Sequence, residues 1–147
     1  MPSKSTVERA KKDLREGKSP TTAAGEFVHE EIEHVRREKH GARSPKQAIA
    51  IGLSKARRAG VPLPPPAPGR TSEKTRKSAQ RAYQKGQAAP EEQPAPRYSR
   101  VREQVLKREP KSTVSRAALS QQARSVVRSR KQVTASTSRQ ARQRKAA

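Results

Sequence analysis

The sequence predicts an all-α, largely disordered chain: a small N-terminal helical hairpin or three-helix cluster, then a Pro-rich linker and a basic tail with transient helices. Three observations predict it. Leu, Ile, Val and Phe together make up only 19 of 147 residues, under the roughly 20% line below which a highly charged chain lacks the apolar area to offset its ordering entropy. Lys and Arg number 35 against 13 Asp and Glu, a net charge of +22, and self-repulsion at that charge opposes compaction. Helix start and stop signals, finally, crowd into the first 60 residues.

The first helix is expected in TVERAKKDLREG, where Val7, Ala10 and Leu14 recur at intervals of three and four and Gly17 offers a left-handed stop. The second opens with Ser19 as N-cap and Pro20 at the first helical position. Its periodic residues Ala24, Phe27, Val28, Ile32 and Val35 run toward Gly41. The third opens with Ser44, Pro45, Lys46 and Gln47, an N-cap followed by Pro and the Gln of a capping box, and closes at Gly60. Ile49, Leu53 and Ala56 form its apolar face, Gly52 permits close helix approach, and Lys46, Lys55, Arg57 and Arg58 stay free for solvent or phosphate. Residues 1–60 therefore read as a small helical head, whose marginal core homo-oligomerisation through these helices would supplement.

The segment VPLPPPAPGR, residues 61–70, holds five prolines and a glycine and reads as a semi-rigid polyproline II linker. Residues 71–147 read as a basic, mostly disordered tail with local helices at about 72–85, 99–109 and 113–132. A second Pro-rich stretch, Ala89 to Arg97, divides it. Val101, Val105 and Leu106, and then Leu119, Ala123, Val126 and Val127, form narrow apolar stripes there. KSTVERA at Lys4–Ala10 and KSTVSRA at Lys111–Ala117 echo each other, although no solenoid period appears.

The same text excludes several chemistries. Without cysteine there is no disulfide scaffold and no thiolate site. No apolar run reaches the ~18 to 20 residues of a membrane span, and MPSKSTVERAKKDL lacks the hydrophobic stretch of a secretory signal, so the chain reads as soluble and intracellular, with the cytoplasm as its expected location. No GxSxG, glycine-rich phosphate loop or HExxH is present, and no enzymatic activity, cofactor or small-molecule substrate is expected. His29, His34 and His40 lie among Glu26, Glu30, Glu31, Glu33 and Glu38, which raises the question of a metal. His29 and His34 are five apart, so a helix turns them roughly 140° away from each other, and Glu30 with His34 would share an ion only weakly. A solvated polar face supported by i, i+4 pairs such as Glu33 with Arg37 is the preferred reading, with no metal.

What remains is charge. Residues 111–147 carry ten basic groups and no acid, spaced among Ser, Gln and Ala as suits a row of phosphates. The expected nucleic-acid contacts are Lys46, Lys55, Arg57 and Arg58 on the head and Arg116, Arg124, Arg128, Arg130, Lys131, Arg139, Arg142 and Arg144 in the tail. Helices two and three also resemble a helix-turn-helix in outline, with Lys46 and Gln47 at the end that contacts bases, against the simpler reading of a packed hairpin that touches only phosphate. Stacking on single strands is disfavoured, because Phe27, Tyr83 and Tyr98 are the only aromatics.

The stretch IEHVRREKHGARSPKQAIAIGLSKARRAGV, Ile32 to Val61, resembles a family of small Lys- and Arg-rich bacterial proteins labelled DNA-binding or plasmid stabilisation proteins. Its most specific part is HGARSPKQAIAIGLSKARRAG, and the likeness covers roughly the first 65 residues. It implies nucleic-acid binding and carries over no functional residue. The expected function is a non-enzymatic DNA-binding protein of nucleoid-associated type, gripping the phosphate backbone with low sequence specificity. The alternatives are a protein-interaction module with a solubilising basic tail, or an RNA- or ribosome-binding protein.

Overall fold

Helix ends set the architecture. The computed structural model describes residues 2–37, 39–88, 96–110 and 112–145, and the side chains of all of these except 96–100, 133 and 135–145. In order the elements are α1 (Lys4–Arg15), α2 (Pro20–Arg36), α3 (Pro45–Arg58), α4 (Glu73–Ala88), α5 (Pro96–Lys107), a 3-10 turn (Ser112–Val114) and α6 (Arg116–Lys145). Every regular element among the described residues is helical. Serine hydroxyls cap the first three helices: Ser3 accepts from the Thr6 amide, Ser19 from Thr22 and Ser44 from Gln47, with Pro20 and Pro45 following the last two caps. Gln47 Oε1 reaches back to the Arg43 amide at 2.7 Å, a variant of the capping box.

Two helices stop by the same device. Gly17 takes φ +75°, its amide donates to Leu14 O and the Lys18 amide donates to Asp13 O. Gly60 takes φ +88°, with Gly60 N to Arg57 O and Val61 N to Ala56 O. Each is a Schellman motif, and in each the left-handed residue is glycine, which bears no Cβ penalty there.

The chain divides into two compact units, residues 1–114 and 115–147. In the first, α2 packs on α1 and α3, and α3 packs in turn on α4. One apolar cluster joins Ala10, Ala23, Ala24, Phe27, Ala56, Val61 and Leu63, with Val7, Leu14 and Leu53 against it. A second joins Val35, Ala42, Ala48 and Val114, with Ile32 beside them. With so many alanines, these contacts rely on close helix approach rather than on large side chains. A Cβ on Gly52 would lie 2.7 Å from Val28 Cα, so only glycine lets α3 settle onto α2 at this crossing. On α4, Gly86 meets the Arg57 carbonyl in the same way.

This arrangement moves several sequence expectations. The head does not end at residue 60: Val61 and Leu63 are buried core residues, and the guanidinium of Arg57 donates to Leu63 O at 3.1 Å and Pro64 O at 3.3 Å. The start of the proline segment is thus fastened to α3 rather than held off it as a spacer. The segment of α4, expected to be helical without a core, buries Ala79, Ala82 and Gly86. Small residues at intervals of three and four make a packing face without raising the mean hydropathy, which is why the sequence concealed it. Residues 106–114 also join the first unit. Gly41 N donates to Leu106 O at 2.7 Å, Ala42 N to Pro110 O at 3.1 Å, and Thr113 Oγ1 to Ala42 O at 2.7 Å. Most of the Pro-rich stretch 89–97, namely residues 89–95, lies outside the described residues.

The second unit is α6, a helix of 30 residues, where the sequence reading placed a transient helix at about 113–132. Ser115 caps it, its hydroxyl accepting from the Ala118 amide at 3.2 Å. None of the described helices is long and apolar enough to cross a membrane.

Candidate nucleic-acid interface and a buried histidine cluster

The twelve cations expected at phosphate fall into three groups. Lys46 and Arg58 are exposed on α3, as expected. Lys55 and Arg57 are not available, and this corrects the sequence reading. Lys55 Nζ donates to Glu31 Oε2 at 2.6 Å. Arg57 is a buried residue whose guanidinium is spent on the two carbonyls of the proline segment, and burial lowers its pKa from the usual arginine value. Periodicity put both on the outer face of α3, but it could not foresee that Glu31 and the proline segment would reach that face.

In α6, Arg116, Arg124, Arg128, Arg130 and Lys131 are all exposed. Arg124, Arg128 and Lys131 stand at i, i+4 and i+7, a spacing that keeps them on one stripe with an axial span of about 10 Å. Arg139, Arg142 and Arg144 belong to the same helix, but their side chains lie outside the described ones.

A further basic stripe escaped the sequence reading. On α4, Lys74, Lys77 and Arg81 are exposed and lie opposite the buried Ala79, Ala82 and Gly86. Their i, i+3, i+7 spacing was readable in EKTRKSAQR. It passed unnoticed because, with no packing face seen on that helix, no outward face was defined.

The helix-turn-helix outline fares differently. Gln47 Oε1 is committed to the Arg43 amide, and α3 is packed on α2 and on α4, with Ala48, Gly52, Ala56 and Arg57 buried. A recognition helix needs one long face open to a groove. Here packing takes much of the surface of α3.

A second constellation lies at the end of α2, where the sequence suggested a solvated polar face. His29 is exposed, as that reading requires, but Glu30 and Glu31 are buried and His34 and His40 are half-buried. Glu31 sits at the centre. Its Oε2 accepts from Lys55, while its Oε1 lies 3.2 Å from His40 Nε2 and has no hydrogen-bond partner. His40 Nδ1 is 3.2 Å from the Gly41 carbonyl, which can only accept, so Nδ1 carries the proton of that bond. The two rings meet edge to face with centroids 6.0 Å apart. Glu30 Oε1 accepts from the Ser3 amide at 2.7 Å and lies 3.8 Å from His34 Nε2. Burial lowers the pKa of His34, and the Lys55 ammonium adds to the effect. Sequence spacing paired His34 with Glu30 and with His29, and so missed Glu31 and His40, because His40 arrives from a turn whose position is fixed by residues 106–113.

No family model, no curated protein and no solved structure matches the chain.

Proposed function

We propose that the protein is a non-enzymatic nucleic-acid-binding protein of nucleoid-associated type, holding duplex DNA by its phosphate backbone with little sequence preference. One observation carries the reading: α6 holds nine Lys and Arg and no acidic residue over 30 residues. No ion pair engages any of its described cations, which leaves them disposed for an external polyanion. Counterion release on meeting a row of phosphates supplies the free energy. The α4 stripe of Lys74, Lys77 and Arg81 extends the same chemistry to the first unit, together with Lys46 and Arg58. The packing of α3 favours phosphate contact over base reading.

The test is a salt-dependent titration of the full chain against duplex DNA. If about 6 to 10 phosphates are engaged, affinity falls some 10³- to 10⁵-fold between 50 and 200 mM salt. Changing Arg124, Arg128 and Lys131 together to Gln reduces the slope of log K against log salt by about 2.7. A slope near zero rejects the proposal. Competition with structured RNA ranks the two polymers, since phosphate charge alone does not separate them.

A further inference from the structure

Glu31, His34 and His40 each offer one ligand atom, and those three atoms lie within 4.8 Å of one another. We propose that they form a binding site for a divalent transition-metal ion of zinc type, which staples the turn after α2 back onto α2. The proposal does not rest on the nucleic-acid reading.

Four features of the cluster support it. Glu31 and His34 stand three apart on α2, the spacing that puts two side chains on one helix face and lets a carboxylate and an imidazole share an ion. His40 is delivered by a turn held on either side: Lys39 N donates to His34 O before it, and Gly41 N and Ala42 N donate to Leu106 O and Pro110 O after it, so the third donor is positioned by backbone hydrogen bonds.

The state of His40 is the strongest argument. With Nδ1–H committed to the Gly41 carbonyl, a neutral His40 turns the lone pair of Nε2 on an oxygen of a buried carboxylate that accepts no hydrogen bond. Two lone pairs do not face each other in a protein interior without a cation between them. A proton is one solution, and a metal ion is the other. Ligand bonds of about 2.0 to 2.1 Å in a tetrahedral site separate neighbouring donor atoms by about 3.3 Å, close to the 3.2 Å between His40 Nε2 and Glu31 Oε1. The three donor atoms, within 4.8 Å of one another, would have to close toward that spacing for His34 to share the ion.

The surroundings suit a ligand set. Lys55 holds Glu31 Oε2 and the Gly41 carbonyl holds His40 Nδ1, so two of the three donors have the outer hydrogen bond that orients a ligand. Two imidazoles and one carboxylate match zinc and its neighbours rather than magnesium or calcium, which prefer all-oxygen sets. Three protein donors leave one position for water. In a head whose core is largely alanine, such a staple would contribute directly to folding.

The experiment uses the full chain and Co(II), whose visible bands report coordination. Expected are one ion per chain, visible absorption characteristic of four or five ligands, displacement of that absorption by Zn(II), and a rise in Tm with Zn(II). His34→Gln and His40→Gln each weaken binding at least about tenfold, whereas His29→Gln leaves it unchanged. Should either variant lose its helical circular dichroism, imidazole NMR shifts of the unaltered chain decide instead. Zn(II) then perturbs His34 and His40 and spares His29. Failure of the folded chain to bind one ion, binding indifferent to both cluster variants, or perturbation of His29 in their place overturns the proposal and leaves a proton between His40 and Glu31.

Discussion

The two units of this chain use the same cations to opposite ends. In residues 1–114, many basic groups are paired within the fold, while Lys46, Arg58 and the α4 stripe stay exposed. Arg9 pairs with Glu26, Lys18 with Asp13 and Glu16, Arg43 with Glu109, Lys55 with Glu31 and Arg76 with Glu73, while Arg57 is spent on backbone carbonyls. In α6 no described cation has such a partner, because the helix holds no acid to supply one. Counting Lys and Arg therefore overstates the first unit as a polyanion-binding surface. What separates structural charge from available charge is whether carboxylates and carbonyls are within reach.

Breaking the most deeply used pair gives the largest effect. Lys55→Met leaves the Glu31 carboxylate buried without its ammonium, and removing one partner of a buried pair costs about 3 to 5 kcal/mol. Denaturant unfolding in chelator-treated buffer measures it, and the DNA salt slope of any remaining folded protein should not change. Next comes Arg57→Met. Loss of its two charged hydrogen bonds to Leu63 O and Pro64 O releases the proline segment and costs about 1.5 to 3 kcal/mol, again with an unaltered salt slope. A slope reduced in proportion to the lost charge would return Lys55 or Arg57 to the phosphate-binding set and erase the distinction between the two units.

These two residues also mark where the sequence stopped being informative. Local signals were legible: the serine caps, the prolines after them, the glycine stops and the Gly52 crossing each need only three or four neighbouring residues to be recognised. The acid-free composition that carries the α6 reading was legible for the same reason. Long-range partners were not. That Lys55 meets Glu31, that Val114 returns to pack on Val35 and Ala48, and that His40 is held against Glu31 by residues 106–113 all depend on contacts distant in sequence. Alanine and glycine hid the α4 face, since a packing surface made of small residues leaves the helix reading as polar.

Two glycines of intermediate effect sharpen the contrast between packed and open positions within α2 and α3. A Cβ at Gly52 would come 2.7 Å from Val28 Cα, whereas at Gly25 it would meet nothing within 4 Å. Gly52→Ala must push two backbones apart and is expected to destabilise by about 1 to 3 kcal/mol. Gly25→Ala removes backbone entropy from the unfolded chain at an exposed helical site and is expected to stabilise by about 0.5 to 1 kcal/mol. Thermal melts of the two variants, run side by side, should move in opposite directions. A shared direction would mean that α3 does not press on α2 at Gly52.

The smallest effect on folding is expected in the second unit. Arg128 is exposed on α6 with no carboxylate in its own helix to hold it, so Arg128→Gln should change stability by no more than about 0.5 kcal/mol. The residue is consequential only when a phosphate is near. The same variant should then lower the slope of log K against log salt by about 0.9, the contribution of one phosphate contact. Its affinity loss should be even across unrelated duplex sequences, since a phosphate contact carries no base information. Measured together, an unmoved Tm and a shallower slope place Arg128 among the available charges. A lowered Tm with an unchanged slope would make α6 a structural helix like those of the first unit, and the difference in charge use between the two would disappear.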